Sequence, residues 1–292
     1  MEQIKLFSFD LDGTLLNNHK EISDYTIEKL IELEKQGYQI ILGSGRYFKE
    51  IKRFADALEL EKYHGYAVCG NGYEVIDIQN DTHKTFELID KEIAKDCVLL
   101  ANQLGLYQYI KINGTYHLST NKVEKMAMNG VTKLFHLLAK SGVKQLSYSS
   151  HLLDESIFEQ DLGSFIEDGL VKLCVIGTPK AQRKWVHLLN EKYPNYFAFY
   201  PVNPYALEIT HKSVSKKNGV EYVAKLNGYS LDNVMAFGDS GNDEPLLLNA
   251  GIGVTMKNGT KRALKKARLV SDYTNHEDGV IKMIEKLIGE SK

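Results

Sequence analysis

Two acidic clusters carry most of the chemistry available to this chain. The first, Ser8-Phe9-Asp10-Leu11-Asp12-Gly13-Thr14-Leu15-Leu16, sets two carboxylates two residues apart behind an apolar run. The second, in NVMAFGDSGNDEPLL, repeats the layout: an apolar run, then Gly238-Asp239 and Asn242-Asp243. A paired carboxylate calls for a cation, a shared proton or a reaction that uses both groups. Mg2+ suits the first case, since it takes oxygen ligands, typically one or two carboxylates with water and phosphate. An Asp-Gly surface turn is the plainer reading of either stretch alone. Together, Asp10, Asp12, Asp239 and Asp243 would repel one another strongly without a cation, so a bound divalent metal is the economical reading.

Two further loops supply what a phosphate group needs. Ser44, in LGSGR, offers a hydroxyl and backbone N–H groups at an expected helix start, a favourable place for an anion; ordinary N-capping is its rival role. Lys216, in HKSVSKKNGVEYV, offers a positive charge near another helix start, against the common fate of a solvated surface lysine. Arg46 has two readings, at the rim of the site or in a salt bridge within the core.

The elements that must position these residues show a change of rhythm. IKLFSF reads as a short buried strand ending at Asp10, SDYTIEKLIELEKQ as an amphipathic helix capped by Ser23 or Asp24 and stopped by Gly37, and YQIILGSGR as a second strand. Together they form a β-α-β unit with its polar loops at the carboxyl ends of the strands, where ligands bind in open α/β sheets. The helix FKEIKRFADALEL and a hairpin, YAVCGNGYEVID, turning at Asn71-Gly72, follow.

From about residue 84 to 211 the pattern becomes α+β, with strands in IKINGTYHLS, VKLCVIG, FAFYPVN and YALEIT and helices near 90–104, 123–140 and 180–192. From about 212 the α/β rhythm returns, with helices over 216–226, 243–249, 259–267 and 278–288 and strands NVMAFGD, IGVTM and ARLVS between them. The expected fold is a Rossmann-like α/β core, residues 1–83 and 212–292, interrupted by an inserted α+β domain over 84–211.

Composition narrows the classes. With 43% hydrophobic and 25% charged residues the chain reads as an ordinary soluble globular protein, and 292 residues suffice for two domains. A net charge of −2 gives no general pull toward nucleic acid or anionic membrane, and the basic run KNGTKRALKKARL reads as a solvated helix face. Cys69, Cys97 and Cys174 are odd in number and form no CxxC pair, so they read as reduced core residues of a cytoplasmic protein. No window approaches the roughly 20 apolar residues of a membrane span, and no obligate protein partner is evident. Gly70-Asn71-Gly72 lacks the third glycine of a dinucleotide fingerprint, and Leu42 stands where a nucleophile elbow would need glycine.

In their order along the chain, FDLDGTLL, LGSGR, SVSKK and GDSGNDEPLLLNAGIGVTM resemble the haloacid dehalogenase superfamily, specifically its Cof-type phosphatase branch with an inserted α/β cap. The resemblance implies an Mg2+-dependent phosphatase acting on a small phosphorylated metabolite. Asp10 would be the nucleophile that forms an aspartyl-phosphate, and Asp12 the acid and base. Mg2+ would be held by Asp10, the backbone carbonyl of Asp12, and Asp239, with Asp243 a ligand or close support. Ser44, Lys216 and Asn242 would grip the phosphoryl oxygens, with Leu11 and Gly45 beside them among the phosphate-binding residues. Gly13 would permit the tight turn, and Thr14 would fix the carboxylates by a local hydrogen bond.

Departures from the branch pattern are few. Serine replaces the usual threonine at Ser44, Lys217 stands where glycine commonly follows the motif lysine, and Lys257 and Gly259 differ from the usual small residues. The Lys217 departure raises the question of which lysine points inward, and the spacing from Val214-Ser215 favours Lys216. A phosphoacceptor signalling module and a phosphotransferase or phosphomutase would use the same aspartate and stay open alternatives. The substrate class is equally open among sugar phosphates, phosphorylated cofactors and nucleotides.

Overall fold

The computed structural model describes residues 3–112, 115–119, 156–159 and 161–289. The chain divides into two compact units, one formed by Met1–Glu87 with Ser213–Lys292, the other by Leu88–Lys212. The helix read over 123–140 lies outside the described residues.

In the first unit eight strands form one sheet: β1 Leu6–Asp10, β2 Gln39–Gly43, β3 Tyr66–Cys69, β4 Glu74–Asp77, β5 Thr82–Thr85, β12 Val234–Gly238, β13 Ile252–Thr255 and β14 Leu269–Val270. Their order is β14-β13-β12-β1-β2-β3-β4-β5. Pairing is parallel from β14 to β3, and antiparallel through the β3-β4-β5 meander. Because β1 leads to β2 on one side and lies against β12 on the other, the strand order reverses here, and in open α/β sheets the carboxyl ends at such a reversal are where ligands bind.

β1 is buried along its whole length, which explains a mostly apolar strand, broken only by the small Ser8 before Asp10, in place of a polar-apolar alternation. Its residues still divide by parity. Phe7 and Phe9 enter a core built with Leu30 and Leu33 of α1 (Asp24–Lys35), Ile51 and Phe54 of α2 (Phe48–Ala57), and Val280 and Ile284 near the C-terminus. Leu6 enters the opposite core, with Val220 and Val223 of the helix that follows Ser215 and with Leu246 and Leu247 beyond Asp243. Each such apolar side chain contributes about 1.5–3 kcal/mol by leaving water. Asp10 shares the parity of Leu6, so the pleat aims its carboxylate toward the face that carries Lys216 and Asp243.

Residues 84 and 85, read from the sequence as part of the inserted region, belong to β5, which pairs with β4. All four β5 residues are exposed, so THKT carries no hydrophobic alternation by which a strand is recognised.

The second unit holds a six-stranded sheet in the order β10-β11-β9-β6-β7-β8: Phe197–Asn203, Ala206–His211, Lys172–Ile176, Tyr107–Ile112, Thr115–Ser119 and Ser156–Glu159. Neighbours are antiparallel except β7 and β8. Its core packs Trp185 and Leu189 of α4 (Pro179–Lys192) and Cys97 and Val98 of α3 (Lys91–Gln103) against Ile110, Leu173, Val175 and Ile209. The fully buried Trp185 donates its indole N–H to the Cys97 carbonyl at 3.1 Å, so its polar edge is satisfied within the core. All three cysteines are buried free thiols. No helix among the described residues is long and apolar enough to cross a membrane.

Candidate active site

Strand register brings the two acidic clusters together. β1 and β12 run parallel with Phe9 opposite Phe237, so Asp10 and Asp239 leave neighbouring strands at the same end. On the other side Asp10 lies opposite Gly43 of β2, which places Ser44 one step beyond. The helix α5, Lys216–Leu226, starts at this end, with Ser215 as its N-cap accepting from the Asn218 N–H at 3.0 Å.

Lys216 is 2% exposed, and its Nζ donates to Asp10 Oδ1 at 2.5 Å and to Asp243 Oδ1 at 2.6 Å. Lys217 pairs with Glu221 at 2.6 Å one turn along the same helix. Lys216 is therefore the inward lysine; consecutive helical residues differ by about 100° in direction, so only one of them can face the carboxylates.

Asp243 caps the short helix α6, Glu244–Asn249, and commits both carboxylate oxygens. Oδ1 takes the Lys216 ammonium, while Oδ2 accepts from the backbone N–H groups of Asp239 and Ser240 at 3.1 and 3.0 Å. Its chief work is to organise the loop after β12. Asp239 has no such support: among the described residues, nothing donates a hydrogen bond to its carboxylate. Burial, with Asp10 and Asp243 adding repulsion, pushes Asp239 up to about 8. Burial also pushes Asp10 up to about 7, with Lys216 pulling the other way and Asp243 adding to the rise.

The carboxylates of Asp10, Asp239 and Asp243 offer oxygens all within 4.8 Å of one another. One ammonium against three converging carboxylates leaves the cluster short of positive charge. A hard divalent cation fits that deficit and the all-oxygen donor set. The carboxylate of Asp12, in contrast, is not among the three. It is gripped by Arg46, whose Nε and Nη2 donate at 2.8 and 2.7 Å, and by Lys20 at 2.5 Å. Burial alone would raise Asp12, but the hydrogen bonds from Arg46 and Lys20 outweigh it and hold the carboxyl below its usual range. Arg46 therefore takes the first of its two readings: its ion pair is made with Asp12 at the site, and both side chains are partly exposed, not enclosed in the core.

Gly13 carries a positive φ of 86°, and a Cβ there would run into the Asp239 carboxylate, so glycine serves both the turn and the close approach. Thr14 is buried as a support should be, but its Oγ1 has no hydrogen-bond partner among the described residues, so the expected local bond is absent. Ser44 is also differently placed: α2 begins at Phe48 with Tyr47 as N-cap, so Ser44 is not at a helix start. Its Oγ accepts the Arg46 N–H at 3.2 Å within the loop, and its own N–H donates to the Val68 carbonyl at 2.8 Å. Leu11 is fully buried in the core beside Phe9, leaving only its backbone for a ligand. The basic helix α7, Lys261–Lys266, spends Arg262 and Lys266 on ion pairs with Glu244 at 3.0 and 2.5 Å.

Asn242 is held from both sides. Its Oδ1 accepts from Ser240 Oγ at 2.6 Å, and its Nδ2 donates to Asn71 Oδ1 at 3.0 Å. Asn71 is a site neighbour that its sequence context did not reveal, because Asn-Gly between two strands reads fully as a turn.

A profile of the haloacid dehalogenase-like hydrolases matches residues 7–284, spanning both acidic clusters and everything between them. The chain belongs to this family. Its ordered motifs place it in the Cof-type branch, with an α/β core and an inserted α/β cap. The 5-amino-6-(5-phospho-D-ribitylamino)uracil phosphatase YcsE of Bacillus subtilis is 25% identical over 283 residues, covering 96% of this chain and 94% of that protein. The crystal structure of a haloacid dehalogenase-like hydrolase from Bacteroides thetaiotaomicron superposes with a TM-score of 0.70 at 25% identity, covering 97% of this chain and 99% of that one. A haloalkanoate-superfamily phosphatase from the same organism gives 0.76 at 21% identity over 97% and 94%, a likeness of fold.

Proposed function

We propose that this family member is an Mg2+-dependent phosphatase that hydrolyses a small phosphorylated metabolite through an aspartyl-phosphate on Asp10. The observation that carries the reading is the convergence of Asp10, Lys216 and Asp239 at the carboxyl ends of two adjacent parallel strands. A carboxylate oxygen of Asp10 attacks phosphorus, the bond to the leaving oxygen breaks, and that oxygen takes a proton from Asp12. Water then attacks the aspartyl-phosphate, gives a proton to Asp12, and releases inorganic phosphate. Because the ion pairs with Arg46 and Lys20 favour the Asp12 anion, the first step requires Asp12 to take up a proton in competition with them.

Lys216 has three N–H donors, of which Asp10 and Asp243 use two, leaving one for a phosphoryl oxygen. Ser44, Asn242 and the backbone of Leu11 and Gly45 complete the phosphate grip in this reading. Mg2+ would be held by Asp10, Asp239 and the Asp12 carbonyl, with Asp243 in support, and would offset the negative charge shared by nucleophile and phosphoryl group. Selection of the leaving group is assigned to the inserted unit, and the protein to the cytoplasm without an obligate partner.

The test follows phosphate release from p-nitrophenyl phosphate and from sugar phosphates, pyridoxal phosphate, flavin mononucleotide and ribityl phosphates. Wild type and Asp10→Asn are compared with Mg2+ and with EDTA. Hydrolysis that survives Asp10→Asn, or that ignores metal removal, sinks the mechanism. A stable phosphoprotein without turnover would favour a phosphoacceptor module instead.

A further inference from the structure

We infer that Asn71 is a positioning residue for the phosphate site, fixing which N–H of Asn242 faces the phosphoryl group; the inference rests on the function proposed above. A carboxamide can flip, exchanging its oxygen for its NH2 group. In Asn242 both ends are engaged: Ser240 Oγ donates to the oxygen at 2.6 Å and Asn71 Oδ1 takes one N–H at 3.0 Å. The flipped amide would set oxygen against oxygen at Asn71. One N–H is left over, and its direction is set by the other.

Asn71 is itself rigidly placed. It is 4% exposed, so water does not compete strongly for its carboxamide. Its backbone sits at a φ of 60°, in the left-handed region that asparagine and glycine tolerate, and its N–H donates to the Ser44 carbonyl at 2.9 Å. Gly70 N–H donates to the Arg46 carbonyl, also at 2.9 Å, so the turn after β3 is stitched to the phosphate loop after β2. A Cβ on Gly72 would collide with the Ser215 backbone, so the same turn packs against the start of the Lys216 helix. A Cβ on Gly45 would lie 2.9 Å from Asn71 Oδ1, so the glycine keeps room for this carboxamide. The turn therefore touches three of the segments assigned to the phosphate group: the Ser44 loop, the Lys216 helix and Asn242.

The experiment uses the full-length protein with Mg2+, p-nitrophenyl phosphate as substrate and inorganic phosphate as competitive inhibitor. Asn71→Gly keeps the backbone conformation and removes only the carboxamide. It is expected to raise both KM and the phosphate inhibition constant by about tenfold, the scale of one lost hydrogen bond to a charged group. In an Asn242→Ala background Asn71→Gly should add nothing, because the group it orients is gone. Gly45→Ala should weaken phosphate binding in the wild-type background but much less beside Asn71→Gly, where the clashing carboxamide is absent. A purely structural role would give losses that multiply instead. The inference is overturned if Asn71→Gly stays within about twofold of wild type, or if its loss persists in full with Asn242→Ala. Should Asn71→Gly fold poorly, the Gly45→Ala comparison with Asn242→Ala decides alone: independent losses there overturn it. Hydrolysis that survives Asp10→Asn would instead sink the nucleophile assignment, a separate result.

Discussion

Lys216 Nζ lies 2.5 Å from Asp10 Oδ1 across a sequence separation of 206 residues, and both groups are almost fully buried. A buried lysine against a buried carboxylate is stabilised only while both stay in place, since removing one partner strands the other in a medium of low polarity.

Lys216→Met is therefore expected to act twice. It should lower kcat/KM by about 100- to 1,000-fold through loss of phosphoryl stabilisation. It should also cost about 3–5 kcal/mol of stability in metal-free protein, because Asp10 and Asp243 lose their shared cation. Mg2+ should restore part of the stability but not the activity, which thermal melts with EDTA and with Mg2+ would show.

Mg2+ affinity should rise with pH through the neutral range. Asp10 and Asp239 are pushed up to about 7 and about 8 in the metal-free cluster, and a cation must displace the protons they hold. Calorimetric titrations at pH 6 and pH 8.5 should give tighter binding at the higher pH. Asp239→Asn should abolish the Mg2+-dependent gain in melting temperature; retention of that gain would place the ion elsewhere.

Lys20→Met should move the alkaline limb of catalysis. Lys20 helps hold Asp12 below its usual range, so its loss makes the protonated acid available at higher pH. The expected result is a modest alkaline extension of kcat/KM for alkyl phosphates, whose leaving groups need a proton, and little change for p-nitrophenyl phosphate. The effect is limited because the pair is partly exposed and screened by water.

Away from the site, Glu34 should make stability fall as pH rises. Burial, with Glu59 adding repulsion, pushes its carboxyl from 4.5 up to about 8, and neither oxygen has a hydrogen-bond partner among the described residues. Between those values the folded chain keeps a proton that the unfolded chain releases, so alkalinity favours unfolding. Glu34→Gln should raise stability by roughly 1–2 kcal/mol at pH 8, a figure scaled down because the side chain lines a polar cavity beside Lys5 and Tyr63, and hardly at all at pH 4. Denaturant titrations at the two pH values check it.

Most of the core was legible because its strands are short apolar runs ending in polar loops, a pattern set by burial on both faces. β5 escaped because THKT is an exposed edge strand, where nothing selects for alternation. At the site, Asp10 and Asp239 could be paired from their strand-end contexts. Ser44 was misplaced relative to a helix because Arg46 and Tyr47 still belong to the loop, and helix starts are weakly marked where the cap is not Ser, Thr, Asp or Asn.

From residue types and order alone came the α/β class, the family and the two acidic strand ends, because apolar periodicity and carboxylate spacing are local properties of the chain. Which groups then meet was decided by tertiary structure. The phase of α5 turned Lys216 inward and Lys217 outward. The Arg46 and Lys20 pairs set the charge of Asp12. The adjacency of β2 and β3 made a hairpin turn at Asn71 into the support of Asn242. Each of these depends on side chains from separate elements approaching within about 3 Å, the range over which hydrogen bonds act and about which spacing along a chain is silent.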